Sequence, residues 1–313
     1  MGIAFNQVHI LSKVLQNYNF ENKKILTLGV QDCYFCIDDI ISFFKRHNLN
    51  YKKISNVDTQ LTDGFKWVNK NENKFYEKYI HQNTLFQLLG FTKENIFSLD
   101  FSDYENPNFN HDMNLLVPET LCNKFDFILD GGTMEHIFNV KQFMENVHLM
   151  LKPNGIVYHA NPSHLLNHGF YNFNYEFYTD FYLTNFYKKI YLKYCLYPNH
   201  PVLVDKYYYE AEPQEHNHFF SAFFSTLAIG IFQKNQNYIS EIKIPQQGFY
   251  QKIWNKNDNK INVYNNSKIK NFLKKIRFIK QIYQYTRSKI NSFLIIRLII
   301  EYFKLKKIKK ISL

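Results

Sequence analysis

Glycine is scarce in this chain, 10 residues in 313, about half of the ordinary share of roughly 7%. A glycine at a turn here is therefore expected to serve a tight bend or a close backbone approach. Four cysteines are too few for a disulfide scaffold in a chain this long. No apolar run approaches the ~20 residues that cross a bilayer; the longest, 293–300, is interrupted by Arg297. Residues 1–15 carry no basic-then-apolar leader. These absences exclude a disulfide-stapled secreted domain and a multispan membrane protein, and make a reducing cytoplasm the expected setting. What is abundant is aromatic side chain: 31 Phe and 24 Tyr bring the aromatic share to 18%. With 45% hydrophobic and 21% charged residues, usage is otherwise that of a folded globular protein.

The net charge of +11 is unevenly placed. From residue 266 onward stand fourteen lysines and arginines against one acid, Glu301, so residues 1–265 hold 24 basic and 26 acidic groups, a net of −2. The excess belongs to the tail, and the body has no need to handle a polyanion.

Periodicity predicts alternating strands and helices. KILTLGV (24–30) reads as a buried strand ending at Gly29, with a helix following over 36–47. Residues 52–95 look like an insertion containing a helix at 74–89, and a second strand falls at 95–99. A weak strand is expected at 109–114 and a strong one at 125–130 (FDFILD), which breaks at Gly131-Gly132. A helix is predicted over 133–151, closed by Lys152-Pro153-Asn154-Gly155, then a strand at 156–160, a helix near 174–185 and strands at 189–196 and 225–232. This order implies an α/β fold, a doubly wound and mostly parallel sheet spanning residues 1–250, with a basic amphipathic helical tail at 266–313.

In such a sheet, ligands bind beyond the carboxyl ends of the strands. The residues expected there are Gly29 to Asp32, Asp100 and Asp103, Asp112 to Asn114, Asp130 to His136, and Asn161 to His164. One close-approach glycine among several carboxylates suits a ligand with a ribose diol, an adenine edge and a cationic centre. Neither GxGxxG nor GxxxxGK[ST] occurs, so a phosphate cradle is not indicated.

The blocks LGVQD (28–32), SLDFSDYEN (98–106), HDMN (111–114), FDFILDGGTMEHIFN (125–139), LMLKPNGIVYHANPSH (149–164) and HGFYNF (168–173) together resemble the class I S-adenosylmethionine-dependent methyltransferases, in particular the bacterial surface-polysaccharide and secondary-metabolite type. The resemblance implies a Rossmann-like fold with S-adenosylmethionine as cofactor and S-adenosylhomocysteine as product. It implies that Gly29 and Gln31 approach the methionine part, Asp100 accepts from the ribose hydroxyls, Asp112 and Met113 flank the adenine, and Asp130 and Gly131 lie beside the sulfonium. With ~65 residues between the first strand and Asp100, Asp103 and Asp58 stand as alternates for the ribose.

Methyl transfer to a hydroxyl needs positioning and a base. Five of the twelve histidines lie between 136 and 168, and His136 or His168 is the expected general base with Glu135 as its orienter; His164 and Tyr171 are expected at the acceptor. Blander roles stand beside these. Asp130 also fits a helix N-cap, His136 a first-turn residue bonded to backbone, and His159 a satisfied core histidine. No metal is expected, because Glu135, His136, His164 and His168 match no ligand spacing. Cys33-x-x-Cys36 is a lone pair that reads as packing.

The resulting expectation is a cytoplasmic methyltransferase acting on an oxygen or nitrogen of a small polar acceptor, a sugar or glycan precursor of the bacterial surface. Its tail would lie on anionic lipid at the inner face of the plasma membrane, or dock on its own domain or a second subunit. Two rivals stand: a nucleic-acid methyltransferase gripping with its tail, and a non-catalytic relative serving as an interaction module. Against the first, strand four ends in Asp-Gly-Gly-Thr where amino-methylating nucleic-acid enzymes carry an (Asp/Asn)-Pro-Pro-aromatic run.

Overall fold

The computed structural model describes residues 2–59, 79–198, 207–212, 224–236, 241–255 and 308–312. The strands are β1 (Gly2–Ile3), β2 (Ile25–Leu28), β3 (Asp32–Cys36), β4 (Tyr79–His81), β5 (Ile96–Asp100), β6 (Phe109–Asn110), β7 (Phe125–Asp130), β8 (Leu151–His164), β9 (Tyr187–Pro198), β10 (Tyr207–Ala211), β11 (Phe224–Lys234) and β12 (Ile308–Ser312). The helices are α1 (Phe5–Val14), α2 (Ile37–Arg46), α3 (Gln82–Leu89), α4 (Val140–Met150), α5 (Tyr175–Thr184) and α6 (Gly248–Asn255).

Nine strands form one sheet in the order β12-β10-β9-β11-β8-β7-β2-β5-β6. From β6 to β8 every pairing is parallel, while β11 runs antiparallel to both β8 and β9. The strand order reverses beside β2, since β5 and β6 continue on one side and β7 and β8 on the other. The parallel half is the Rossmann-like, doubly wound arrangement that the alternation predicts, but the expected mostly parallel sheet is in fact mixed: the four pairings from β12 to β8 are antiparallel.

Alternation along the strands supplies two cores. Ile25 of β2 faces a cluster with Leu11 of α1, Phe44 of α2 and Phe86 of α3. Leu26 and Leu28 face the opposite cluster, with Phe143 and Val147 of α4 and Tyr178 and Phe181 of α5. Helices thus cover both faces, as a parallel sheet requires. In α2, Asp38 and Asp39 open the first turn and Lys45 and Arg46 close the last, matching the helix dipole. Lys234, wholly buried at the end of β11, donates from Nζ to the carbonyls of His148 (2.6 Å) and Leu151 (2.8 Å) and so satisfies the C-terminal end of α4.

Several expectations need correction. The helix expected over 74–89 is in its described part a strand, β4, followed by α3; residues 74–78 lie outside the described residues. β4 joins β3 and β1 in a separate three-stranded sheet that periodicity did not reveal. The helix expected over 133–151 begins at Val140. Before it, Met134–His136 make a single tight turn, because Asp130 Oδ1 takes the N–H groups of Thr133 and Met134 and Asn139 Oδ1 starts α4 afresh by accepting from Gln142 N–H. The strand of 109–114 stops at Asn110, and Lys152-Pro153-Asn154-Gly155 lies within β8, with Asn154 at φ +62°.

Of the tail, 266–307 lie outside the described residues. Residues 308–312 are not helical: β12 pairs antiparallel with β10, Tyr207 opposite Ser312 and Ala211 opposite Ile308, and Ile311 is buried in the core. Among the described residues no helix is long and apolar enough to cross a membrane. None of the four cysteines forms a disulfide, and Cys33 and Cys36 both lie in β3, Cys36 also serving as the N-cap of α2.

Candidate active site at the carboxyl ends of the strands

The crevice beside β2 is built first by Gly29, which at φ +78° turns the chain while its N–H donates to Leu99 O at 2.8 Å. The chain then drives Gln31 inward, and its side chain is almost wholly buried. Gln31 Nε2 donates to Leu28 O at 2.7 Å and its N–H to Gln82 Oε1 at 2.8 Å, whereas Oε1 is a buried acceptor with no hydrogen-bond partner. That atom lies against Gly131, where a Cβ would collide with it. Thr133 Oγ1 donates to Leu28 O from the other side. Gln31 thus bridges the ends of β2 and β7, with one carbonyl oxygen left for a donor.

Asp100 ends β5, its Oδ1 accepting from Ser102 N–H at 3.3 Å. Nearby, Glu105 is half-buried, and burial together with the charges of Asp32 and Asp100 pushes its carboxyl up to about 7. This acid cluster escaped the sequence reading, although Glu105 stands in the SLDFSDYEN block. A carboxyl raised on folding stays protonated in the folded state where the unfolded chain has lost its proton. Its contribution to stability is therefore full below about pH 4.5 and disappears as pH rises through about 7. Denaturant unfolding between pH 5 and 8 is expected to show this decline, and Glu105→Gln to flatten it; an unchanged slope in the variant rejects the assignment.

Asp112 Oδ1 accepts from Asn114 N–H and Nδ2, both at 2.8 Å, and these bonds hold its carboxyl below the usual range. Asn114 Oδ1 in turn accepts from Asn139 N–H at 2.9 Å, which ties the 112–114 turn to the start of α4. Met113 is buried and its carbonyl takes Asn146 Nδ2 at 3.2 Å.

At the ends of β7 and β8 lies a buried polar chain. Asp130 has 0% exposure; Oδ2 meets His159 Nδ1 at 2.8 Å and Asn161 Nδ2 at 2.9 Å. Burial alone would raise the Asp130 carboxyl, but the bond from His159, its charge and the N–H donors hold it below the usual range. His159 Nε2 reaches Tyr182 OH at 2.5 Å. Asn161 Nδ2 also bonds Glu135 Oε2 at 3.0 Å, and Asn161 Oδ1 accepts from Tyr178 OH at 2.6 Å. Burial and the Asp130 charge push Glu135 up to about 8. Asp130 binds the turn after β7 while the cap of α4 falls to Asn139, His159 has both ring nitrogens hydrogen-bonded in the core, and it is Asn161 that links Asp130 to Glu135.

Glu135 brings this chain to the surface. Its Oε1 lies 3.5 Å from His168 Nε2, and the His168 and His136 rings stand edge to face at 5.1 Å. Burial lowers the basicity of both imidazoles. The 165–172 loop is pinned by Phe170 N–H to Glu135 O at 2.7 Å. Gly169, at φ +70°, crosses so close that a Cβ would strike the same carbonyl. Glu135, His136 and His168 thus meet as expected for a base and its orienter. His164 stands apart from them in β8, opposite Thr226. Tyr171 OH donates to Phe138 O at 3.0 Å on the wall of a groove of about 750 Å³, lined also by Met144, Phe177 and Ile244. Sequence reasoning placed Asn161 at the end of strand five but gave it no role, and it missed Tyr178 and Tyr182, which carry no signal of their own.

No family model and no curated protein matches the chain. Among solved structures it is similar to a SAM-dependent methyltransferase from Archaeoglobus fulgidus, with 9% identity over 72% of this chain and 94% of that one and a TM-score of 0.34. It is also similar to Burkholderia thailandensis 1,6-didemethyltoxoflavin-N1-methyltransferase with bound S-adenosylhomocysteine (11%, 49% and 66%, TM-score 0.30). Haemonchus contortus phosphoethanolamine N-methyltransferase 1, in complex with phosphoethanolamine and S-adenosylhomocysteine, gives 11%, 90% and 52%, with a TM-score of 0.35. These are low-identity likenesses, and the fold assignment stands on the strand order of the chain itself.

Proposed function

We propose that the chain is a methyltransferase that uses S-adenosylmethionine to methylate an oxygen, or a nitrogen, of a small polar acceptor such as a sugar or glycan precursor. The observation that carries this reading is the carboxyl end of β2, where Gly29 turns the chain and the buried Gln31 Oε1 is left without a partner against Gly131, with Asp100 closing the neighbouring strand β5. These groups fit the cofactor's chemistry: the orphaned Oε1 would accept from its ammonium, Asp100 would accept from the ribose hydroxyls, and Asp112 with Met113 would lie at the adenine. When bound, the cofactor supplies an electrophilic methyl group on a sulfonium. The chain's own residues hold it, keep the acceptor in the groove beside Tyr171 and Phe138, and take the acceptor's proton at the Glu135–His136–His168 centre. The near-neutral body speaks against nucleic acid as the acceptor.

Calorimetric titration with S-adenosylmethionine and S-adenosylhomocysteine tests the reading. Micromolar binding is expected, weakened about 10- to 100-fold by Asp100→Ala and by Asp112→Ala, or roughly 1.4–2.8 kcal/mol. Absence of binding to the intact chain overturns it and favours the non-catalytic alternative.

A further inference from the structure

We propose that Glu135, His136 and His168 form a binding site for one divalent transition-metal ion, to which the acceptor adds two neighbouring oxygens. The donor atoms of the three side chains lie within 4.8 Å of one another, so a single ion can meet all three after small side-chain adjustments. Two imidazoles and one carboxylate, with the remaining positions open, make a mixed nitrogen–oxygen set of the kind that takes manganese, iron, cobalt or zinc in the divalent state. The sequence could not show this: Glu135 and His136 are adjacent, and His168 reaches them only because Phe170 N–H and Gly169 press the 165–172 loop onto the Glu135 carbonyl.

Three features support an ion over a surface ion pair of His168 with Glu135. The inner carboxylate is held from behind, its Oε2 on Asn161 Nδ2, which is itself oriented by Tyr178; such outer partners fix metal ligands. Asn161 Nδ2 also serves Asp130 at 2.9 Å, so the two buried carboxyl groups lean on one amide, and Glu135 Oε1 is left facing outward toward His168. Finally, the imidazoles are exposed where the aromatic groove begins, with Phe138 and Tyr171 two and three residues beyond them. A bound ion would therefore stand between the interior and whatever occupies the groove. The acceptor class follows: a molecule with adjacent hydroxyl or carbonyl oxygens, which chelates better than one with a single oxygen.

The inference rests on the methyltransferase reading but replaces the base role of these side chains, since a nitrogen or oxygen bound to an ion cannot also take a proton, and it is tested apart from that reading. The intact chain is stripped with a chelator and dialysed against Mn(II), Zn(II) or Co(II); bound metal is counted, and the visible absorption of Co(II) is recorded. One equivalent is expected, with a Co(II) band shifted by imidazole ligation. Glu135→Gln, which keeps the shape of the side chain, and His168→Ala, at an exposed position, are each expected to weaken binding at least about ten-fold with unchanged circular dichroism. No stoichiometric binding by the intact chain, or equal affinity in both variants, overturns the site. S-adenosylhomocysteine titration in parallel separates the two readings. Metal without cofactor sinks the methyltransferase and leaves the ion, whereas cofactor without metal overturns the ion alone.

Discussion

Asp130→Ala is expected to destabilise the fold by about 3–5 kcal/mol, the usual cost of removing one partner from a buried charged network. The carboxylate serves four donors: Thr133 N–H and Met134 N–H on Oδ1, and His159 Nδ1 and Asn161 Nδ2 on Oδ2. All four lie within the protein, so truncation strands them where water does not reach, each at a cost of its own. Asp130→Asn keeps the shape and an acceptor oxygen but sets an N–H₂ against donors, and is expected to fall between wild type and alanine. Guanidinium unfolding decides: a loss below about 1 kcal/mol for the alanine variant would mean that water or rearrangement satisfies the network. S-adenosylhomocysteine binding by the asparagine variant, if retained, places the role of Asp130 in support rather than in cofactor contact.

Lys234→Ala is the second large effect, again about 3–5 kcal/mol, combining a cavity where the stem lay with the loss of its bonds to two carbonyls at the junction of α4 and β8. Burial pushes the Lys234 ammonium down to about 7, yet charged or neutral it keeps N–H donors for His148 O and Leu151 O. Lys234→Met fills most of the volume without donating, so its loss, about 1–3 kcal/mol, isolates the hydrogen-bond share. Thermal or denaturant unfolding of both variants at one pH gives the comparison. If methionine matches wild type, the carbonyls have other partners and the ledger for α4 must be redrawn.

Asp130 stood out in the sequence by its place at a strand end, whereas Lys234 did not. Lys234 closes a strand read at 225–232 and looks like ordinary strand-end charge; only the packing of β11 over the end of α4 buries it. Local information did carry the strands of the parallel half. Runs such as FDFILD are apolar on both faces because helices cover both sides of the sheet. What it could not carry was non-local: β1, β3 and β4 pair residues from three separate stretches, and β10 meets β12 across about a hundred residues. The helix misread at 133–139 failed for a related reason. Its apolar spacing was sound, but the incoming Phe170 N–H takes the Glu135 carbonyl and Asn114 Oδ1 takes the Asn139 N–H, the two groups that would have paired to continue it. At the site, the residue types Glu-His and His were legible, while their meeting depended on the one conformation of Gly169 that brings the loop across.

The pairing of β12 with β10 changes how the basic tail can be dissected. Chain shortened at residue 265 loses fourteen positive charges and, with them, the outermost strand of the main sheet, leaving the backbone edge of β10 bare and the place of Ile311 unfilled. Deletion is thus two experiments in one, an electrostatic change and an architectural one. Replacing the nine lysines and three arginines of 268–307 by glutamine within the intact chain removes twelve of those fourteen charges and leaves β12 in place.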